Sequence, residues 1–357
     1  MKEKSYEILT KCIRLTVIML LLLSLTMVGC NKQGQETKAE LSPVKQEQPN
    51  TSAASQELKV DEFAILQAAA QEYVQRPLML MSTDEVYQKA VVEKNSEYQL
   101  ISTRYEEDYN RGHIEGAEWI TRTEFAKEET LNRIDKNRKT ILYCYTASGA
   151  TYVSAMLNLM GYEAYGMSIG MTEWTANREV AGTQRTPVAI ENYPIESAEY
   201  QLQQTYPLPK LTTGKTSVEE IVHEMGMNYF ASGKARWISA EEIKVAYDTD
   251  ALEEFILIDV RDKSKYDKGH VPKAVNIAYR QTMDMTNLQK LPTDKKLIII
   301  SEDGQSATQI AALYSFLGYD ARTMLYGMLA WSNDPNVVGT SLWKGPRNYP
   351  WVGSVKP

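Results

Sequence analysis

The chain has 357 residues, enough for about two domains, with 43% hydrophobic and 24% charged residues. That is an ordinary globular composition, and it excludes collagen-like, low-complexity and multi-span membrane proteins. A formal net charge of −7 makes the surface a poor electrostatic partner for nucleic acid.

The first element reads as an export signal. Lys2, Lys4, Lys11 and Arg14 lead into an apolar run from Leu15 to Val28, broken only by Thr16, Ser24 and Thr26. Such a run rises about 21 Å as a helix, short of the roughly 30 Å hydrocarbon core, so residues 1–29 are expected to be a cleaved signal peptide rather than a permanent span. Met27-Val28-Gly29-Cys30 resembles the lipobox of bacterial lipoproteins. The resemblance implies cleavage before Cys30, lipid on Cys30, and attachment to the extracytoplasmic face of the cell membrane. Residues 30–59 are rich in Lys, Gln, Glu, Ser, Thr, Asn and Pro, cannot bury enough surface to fold, and read as a disordered polar tether. Cys12 leaves with the signal and Cys30 is blocked, so Cys144 is the one free thiol of the mature chain and no internal disulfide is expected.

The rest of the chain is a repeat. An offset of 157 positions carries Ser82-Thr83-Asp84-Glu85 onto Ser239-Ala240-Glu241-Glu242, Arg104 onto Arg261, Gly112-His113 onto Gly269-His270, Gly161-Tyr162 onto Gly318-Tyr319, and Trp174 onto Trp331. The units span 60–190 and 229–357, with a connector over 191–228. In each unit two short apolar runs read as strands buried on both faces: Gln99-Leu100-Ile101 and Thr140–Tyr143, then Phe255–Ile258 and Leu297–Ile300. A polar loop follows the second run. Then comes a helical pattern, Val153, Met156, Leu157 and Met160 in one unit and Ile310, Leu313, Tyr314 and Leu317 in the other. Gly161 and Gly318 suit the left-handed position that ends a helix. Strands alternating with helices predict an α/β fold in which each domain is a largely parallel sheet flanked by helices.

The ordered set Arg104, Tyr109–Ala117, Cys144, Gly170–Trp174, with its second copy Asp259-Val260-Arg261, Tyr266–Val271 and Gly327–Trp331, resembles the rhodanese family. The resemblance implies two tandem rhodanese-like domains. It also implies a nucleophilic cysteine that carries sulfane sulfur as a persulfide. Cys144 takes that role, and Tyr145, Thr146, Ala147, Ser148, Gly149 and Ala150 form the cradle, where backbone N–H groups and a helix N-terminus face an anion. Arg104, His113, Asp259, Arg261 and His270 are family motif residues expected to be structural, the histidines in turns and Arg261 paired with Asp259. No cofactor and no metal are called for.

Two departures shape the expected chemistry. The first loop contains no Arg or Lys, with Gly149 where a cation often sits, so polysulfide or persulfide donors are favoured over thiosulfate, and a cation placed at Gly149 is expected to raise thiosulfate activity. In the second unit Ser301 replaces the cysteine and is followed by Glu302 and Asp303, so that domain is expected to be inactive. A phosphatase needs an Arg closing the loop, and none lies between Cys144 and Arg178; a serine hydrolase needs a base beside Ser301, and zinc needs clustered ligands. The expected function is therefore a membrane-tethered sulfurtransferase or sulfur carrier that takes sulfur from a small donor and gives it to a thiol. The alternative is a non-catalytic binding scaffold, with a protein partner docking through the second domain.

Overall fold

The computed structural model describes residues 60–182, 191–338 and 343–356. The expected signal peptide, Cys30 and the tether up to residue 59 lie outside the described residues. Among the described residues no helix is long and apolar enough to cross a membrane.

Five strands make the first sheet: β1 (Leu80–Met81), β2 (Tyr98–Ser102), β3 (Glu118–Trp119), β4 (Lys139–Tyr143) and β5 (Ala164–Met167). All pairs are parallel, in the order β1-β5-β4-β2-β3. The second sheet repeats this order as β6-β10-β9-β7-β8, from β6 (Trp237–Ile238), β7 (Phe255–Asp259), β8 (Val275–Asn276), β9 (Lys296–Ile300) and β10 (Asp320–Met324). Thr140–Tyr143 of β4 and Leu297–Ile300 of β9 are buried throughout, as central parallel strands covered on both faces must be.

The main helices are α1 (Glu62–Gln75), α2 (Ser148–Leu159), α3 (Val218–Ala231), α4 (Ala240–Asp248) and α5 (Gln305–Phe316). The repeated Ser-x-x-Glu signature is a capping box in both domains: Ser82 with Glu85, and Ser239 with Glu242 at the head of α4. Gly161 and Gly318 follow α2 and α5 with φ of 83° and 96°, the left-handed conformation that closes a helix. The heptad-like spacing read from the sequence accounts for only one face of these two helices. Nearly every residue of both is buried, because each packs on its own sheet and the two pack on each other. Tyr152 of α2 meets Phe316 of α5 edge-on at 5.3 Å.

The domains also exchange segments. α1 reaches across to the second domain, where Gln67 Nε2 donates to the Met283 carbonyl and Gln75 Nε2 to that of Arg280, both at 2.8 Å. α3 crosses in the opposite direction and packs on α2 and on the short turn Arg122–Ala126. After each domain the chain runs over the other one. The connector bridges Glu196 to His270, and Trp331 Nε1 donates to the Pro194 carbonyl at 2.7 Å. The C-terminal segment bridges Val352 to His113, and Trp174 Nε1 donates to the Pro350 carbonyl at 2.9 Å.

Candidate active site

Cys144 follows β4 directly, at the C-terminal edge of the sheet and ahead of the N-terminus of α2, and is 5% exposed. Two features bend the chain into a loop there. Ala147 takes a left-handed φ of 67°, a strained choice for a residue with a Cβ. From the other side the turn after β5 presses against the loop: Met171 N donates to the Cys144 carbonyl at 2.9 Å, and Thr172 N and Oγ1 donate to that of Tyr145 at 3.0 and 2.8 Å. Gly170 permits this approach. A Cβ on it would stand 2.5 Å from the Cys144 oxygen and 2.9 Å from the Ala147 nitrogen.

The expected cradle residues play unequal parts. The Tyr145 side chain turns outward, its hydroxyl bonded to the Asp108 carboxylate and accepting from Tyr105 N at 3.2 Å; burial and then Asp108 push its pKa up. The Thr146 carbonyl accepts from Gln305 Nε2 of the second domain at 3.3 Å. Ser148 Oγ is buried and has no partner. Ala150 is buried in the first turn of α2. Gly149 is the informative position. A Cβ there would lie 3.8 Å from Cys144 Sγ, 3.5 Å from Arg122 Nη1 and 3.6 Å from Arg122 Cδ.

The loop itself holds no Arg or Lys, as the sequence reading has it, but Arg122 reaches it from outside. Its guanidinium, carried on a turn well outside the loop, occupies the space beside Gly149 where a cationic side chain was expected to be missing. A Cβ at residue 149 would stand in ordinary van der Waals contact with Arg122. A second guanidinium, Arg236, precedes β6 of the other domain, and burial and then the charge of Arg122 lower its pKa. Both were missed from the sequence, although the repeat holds the signal: the 157 offset sets Arg122 opposite Tyr279 and Arg236 opposite Met79, neutral residues both.

The motif residues make their hydrogen bonds within the fold. Arg261 forks onto both Asp259 oxygens, with Nε at 3.0 Å from each, and donates to the Val337 and Gly269 carbonyls at 2.8 Å. Arg104 repeats the two carbonyl bonds, to Val180 at 2.7 Å and to Gly112, but in place of a carboxylate meets Ser102 Oγ at 3.4 Å. The Tyr143 hydroxyl, where the second domain has Ile300, lies against the same pair. His113 and His270 stack on Tyr109 and Tyr266 and bond through Nδ1 to their carbonyls at 2.8 and 2.9 Å. Burial lowers the His113 pKa and favours its neutral ring.

The second loop has the same shape around a different atom. Gly304 stands where the first loop has Ala147, with φ of 83°, and Ser301 Oγ accepts from Gly304 N at 3.0 Å and Ala307 N at 3.3 Å. The serine hydroxyl thus takes up the amides that would face an anion. Lys265 Nζ holds Glu302 at 2.6 Å, and burial raises the Asp303 pKa.

A thiol at the C-terminal edge of a parallel sheet, before a helix N-terminus, defines a cysteine-loop α/β protein. The family model of the rhodanese-like domain matches residues 83–177 and 239–334, more than half of the chain, and the protein belongs to that family, with two tandem domains. No curated protein matches the chain. Among solved structures it is similar to a rhodanese-like domain protein from Staphylococcus aureus, with 23% identity over 28% of this chain and 94% of that one and a TM-score of 0.26. A rhodanese-related protein from Thermoplasma volcanium shows 22% identity over 27% and 89%, with a TM-score of 0.24. Thiosulfate sulfurtransferase from Pseudomonas aeruginosa shows 16% identity over 79% and 49%, with a TM-score of 0.27.

Proposed function

We propose that this protein is a sulfurtransferase or sulfur carrier whose first domain forms a persulfide on Cys144. Membership of the rhodanese-like family supports the general class. The observation that carries the finer reading is the placement of Cys144 Sγ in a loop closed by Ala147 and Gly170, ahead of α2. The Cys144 thiolate attacks the sulfane sulfur of a donor, a Cys144–S–S bond forms, and the donor's S–S bond breaks with its electron pair leaving on the shortened donor. An acceptor thiolate then takes the outer sulfur, and the bonding pair returns to Cys144. The second domain takes no part in transfer because Ser301 offers no thiol and satisfies its own loop amides. Lipid on Cys30 and the polar tether hold both domains at the extracytoplasmic face, a reading supported by the lipobox-like sequence.

The test is to load the protein with polysulfide and locate added sulfur by mass spectrometry. A gain of one sulfur on the peptide containing Cys144, absent in Cys144→Ser, supports the assignment. No adduct from any donor would favour the scaffold reading. Fractionation of cells expressing Cys30→Ala tests the anchor, since loss of membrane association is expected only for that variant.

A further inference from the structure

We propose that Arg347, in the C-terminal segment, is a positioning residue for the thiol loop: it holds the turn Met171–Trp174 through Glu173, and that turn holds the carbonyls of Cys144 and Tyr145. The proposal rests on the reading of Cys144 as the sulfur-accepting thiol, and it gives the end of the chain a part in setting that thiol.

The turn is gripped on two sides. On one, Met171 N donates to the Cys144 carbonyl at 2.9 Å and Thr172 N to that of Tyr145 at 3.0 Å. Each peptide unit is planar, so fixing these two carbonyls also fixes the N–H groups of Tyr145 and Thr146. On the other side the C-terminal segment lies along the turn. Arg347 N donates to the Glu173 carbonyl at 2.7 Å, Tyr349 N to that of Trp174 at 2.9 Å, and Ala176 N to Asn348 Oδ1 at 2.9 Å. The first two residues of the turn are thus bonded to the loop and the next two to the tail.

Side chains lock this contact. Arg347 Nη2 lies 3.0 Å from Glu173 Oε1, and its Nε donates to Asp84 Oδ1 at 2.9 Å. Thr83 Oγ1 donates to the other Glu173 oxygen at 3.0 Å, and Tyr349 OH joins Arg347 on Asp84 Oδ1 at 2.9 Å. The Tyr349 ring stacks on Tyr87 at 3.9 Å and meets Trp174 edge-on at 5.2 Å. The two ion pairs are unequal. Asp84 is exposed, so water screens its charge and the pair contributes little, whereas Glu173 is buried, and a buried carboxylate stripped of its cation is strongly disfavoured. Burial is the leading cause raising the Glu173 pKa, and Thr83 and then Arg347 oppose it.

The repeat supplies an independent comparison. Asn192-Tyr193-Pro194 in the connector and Asn348-Tyr349-Pro350 in the tail are the same strap, 156 positions apart. Asn192 Oδ1 accepts from Asn333 N at 2.6 Å, and Tyr193 N donates to the Trp331 carbonyl at 3.0 Å, which repeats on the second domain what Asn348 and Tyr349 do on the first. The bonds from turn to loop repeat as well, from Met328 N to the Ser301 carbonyl and from Leu329 N to that of Glu302, both at 2.9 Å. One residue before each motif the copies differ, with Arg347 on the first domain and Glu191 on the second. The partners differ in step, since the 157 offset sets Glu173 opposite Ala330, which carries no charge. A strap that only finished the fold would serve both domains alike. This charged pair stands only over the turn that holds the thiol loop.

The test follows the turn and the thiol separately in full-length protein. Hydrogen exchange read by mass spectrometry is expected to quicken about tenfold or more over residues 144–149 and 171–176 in Arg347→Gln, while the amides of β2 and of residues 153–159 stay as in wild type. Sulfur loading of Cys144 from polysulfide, quenched rapidly and read by mass spectrometry over a series of donor concentrations, should reach a limiting rate about tenfold to a hundredfold lower, with the half-saturating concentration within about twofold of wild type. A residue that acted on stability alone would lower the melting temperature and leave the rate per folded molecule unmoved. Arg347→Lys keeps the cation, is the milder variant, and should recover part of the rate. Glu173→Gln should lose about as much as Arg347→Gln, and the double variant no more than either, because the two side chains act as one unit. Asn192→Ala is the matched control on the other strap, expected to lower the melting temperature and to leave Cys144 loading at the wild-type rate. Unchanged exchange in Arg347→Gln, an unchanged limiting rate, or losses that multiply in the double variant would each overturn the assignment. If wild type forms no persulfide from any donor, the transferase reading falls, and the exchange comparison alone decides whether Arg347 holds the loop.

Discussion

Gln305 Nε2 donates to the Thr146 carbonyl at 3.3 Å, so the loop that lacks a thiol braces the loop that has one. Gln305 is buried at the head of α5, and Ser148, its counterpart in the repeat, begins α2. The contact therefore ties the two helix N-termini together across the domain interface. Replacing Gln305 with Leu keeps the bulk and leaves the carbonyl unbonded. The expected cost is about 1 kcal/mol, or roughly 2 °C in a thermal melt, with slower loading of Cys144 followed by mass spectrometry. An unchanged loading rate would show that the brace holds the domains and not the loop.

Gly170 is required twice over, by its φ of 62° and by the 2.5 Å that would separate a Cβ from the Cys144 oxygen. Gly170→Ala is expected to cost about 3 kcal/mol in denaturant unfolding and to abolish persulfide formation, since the turn cannot recede without releasing the loop. Gly116 is the matched control. Its φ is 82° with nothing within 4 Å, so Gly116→Ala should cost only about 1 kcal/mol and leave loading intact.

The two buried arginine turns are solved in two ways, by the Asp259 carboxylate beside Ile300 and by the hydroxyls of Ser102 and Tyr143. Asp259→Ser alone should cost about 3 to 5 kcal/mol, because it leaves Arg261 buried with carbonyl partners only. In the first domain Ser102→Asp and Tyr143→Ile should each be destabilising or neutral, yet together recover stability by about 1 kcal/mol or more over their sum. Chemical denaturation of the four proteins of this cycle measures the coupling. Strict additivity would contradict the exchange of one carboxylate for two hydroxyls.

Glu173 and Asp303 face each other closely enough to interact, and burial is the leading cause raising the pKa of each. Repulsion from Asp84 and Asp303 adds to the shift at Glu173, against Thr83 and Arg347, while Glu302 adds to it at Asp303. A raised carboxyl binds its proton more tightly when folded. Its contribution to stability is fully present below the unfolded value near 4 and is lost as pH rises through the folded value. Asp303→Asn keeps an oxygen to accept from Gln305 N, now bonded at 2.9 Å, and removes the charge. The variant should be more stable than wild type near neutral pH, with the difference shrinking as pH falls to about 4. Melting temperatures across that range give the comparison.

Much of this architecture is legible in the sequence because it is written in local terms. Apolar runs such as Leu297–Ile300, the glycines after α2 and α5 and the Ser-x-x-Glu caps each act within a few residues of themselves. A strict 157-residue offset then doubles every signal. The site is legible only in part. Cys144 and its loop are contiguous, whereas Arg122 and the Arg236 that interacts with it arrive from other segments, one of them in the other domain, and no local pattern shows which distant loop an arginine will stand near. The full burial of α2 and α5 escaped for the same reason, since the second face of each is covered by the other helix.

The reciprocal crossing of segments fixes the order in which the molecule can be finished. His113 gains its strand partner from Val352, near the end of the chain, and the Trp174 indole bonds to the Pro350 carbonyl. A ribosome that has released only the first domain has delivered the thiol without Arg236, without Gln305 and without that closing bridge. The surroundings of the thiol loop are complete only with the last dozen or so residues, and a gene that shed its serine-bearing copy would shed the finishing pieces of the other.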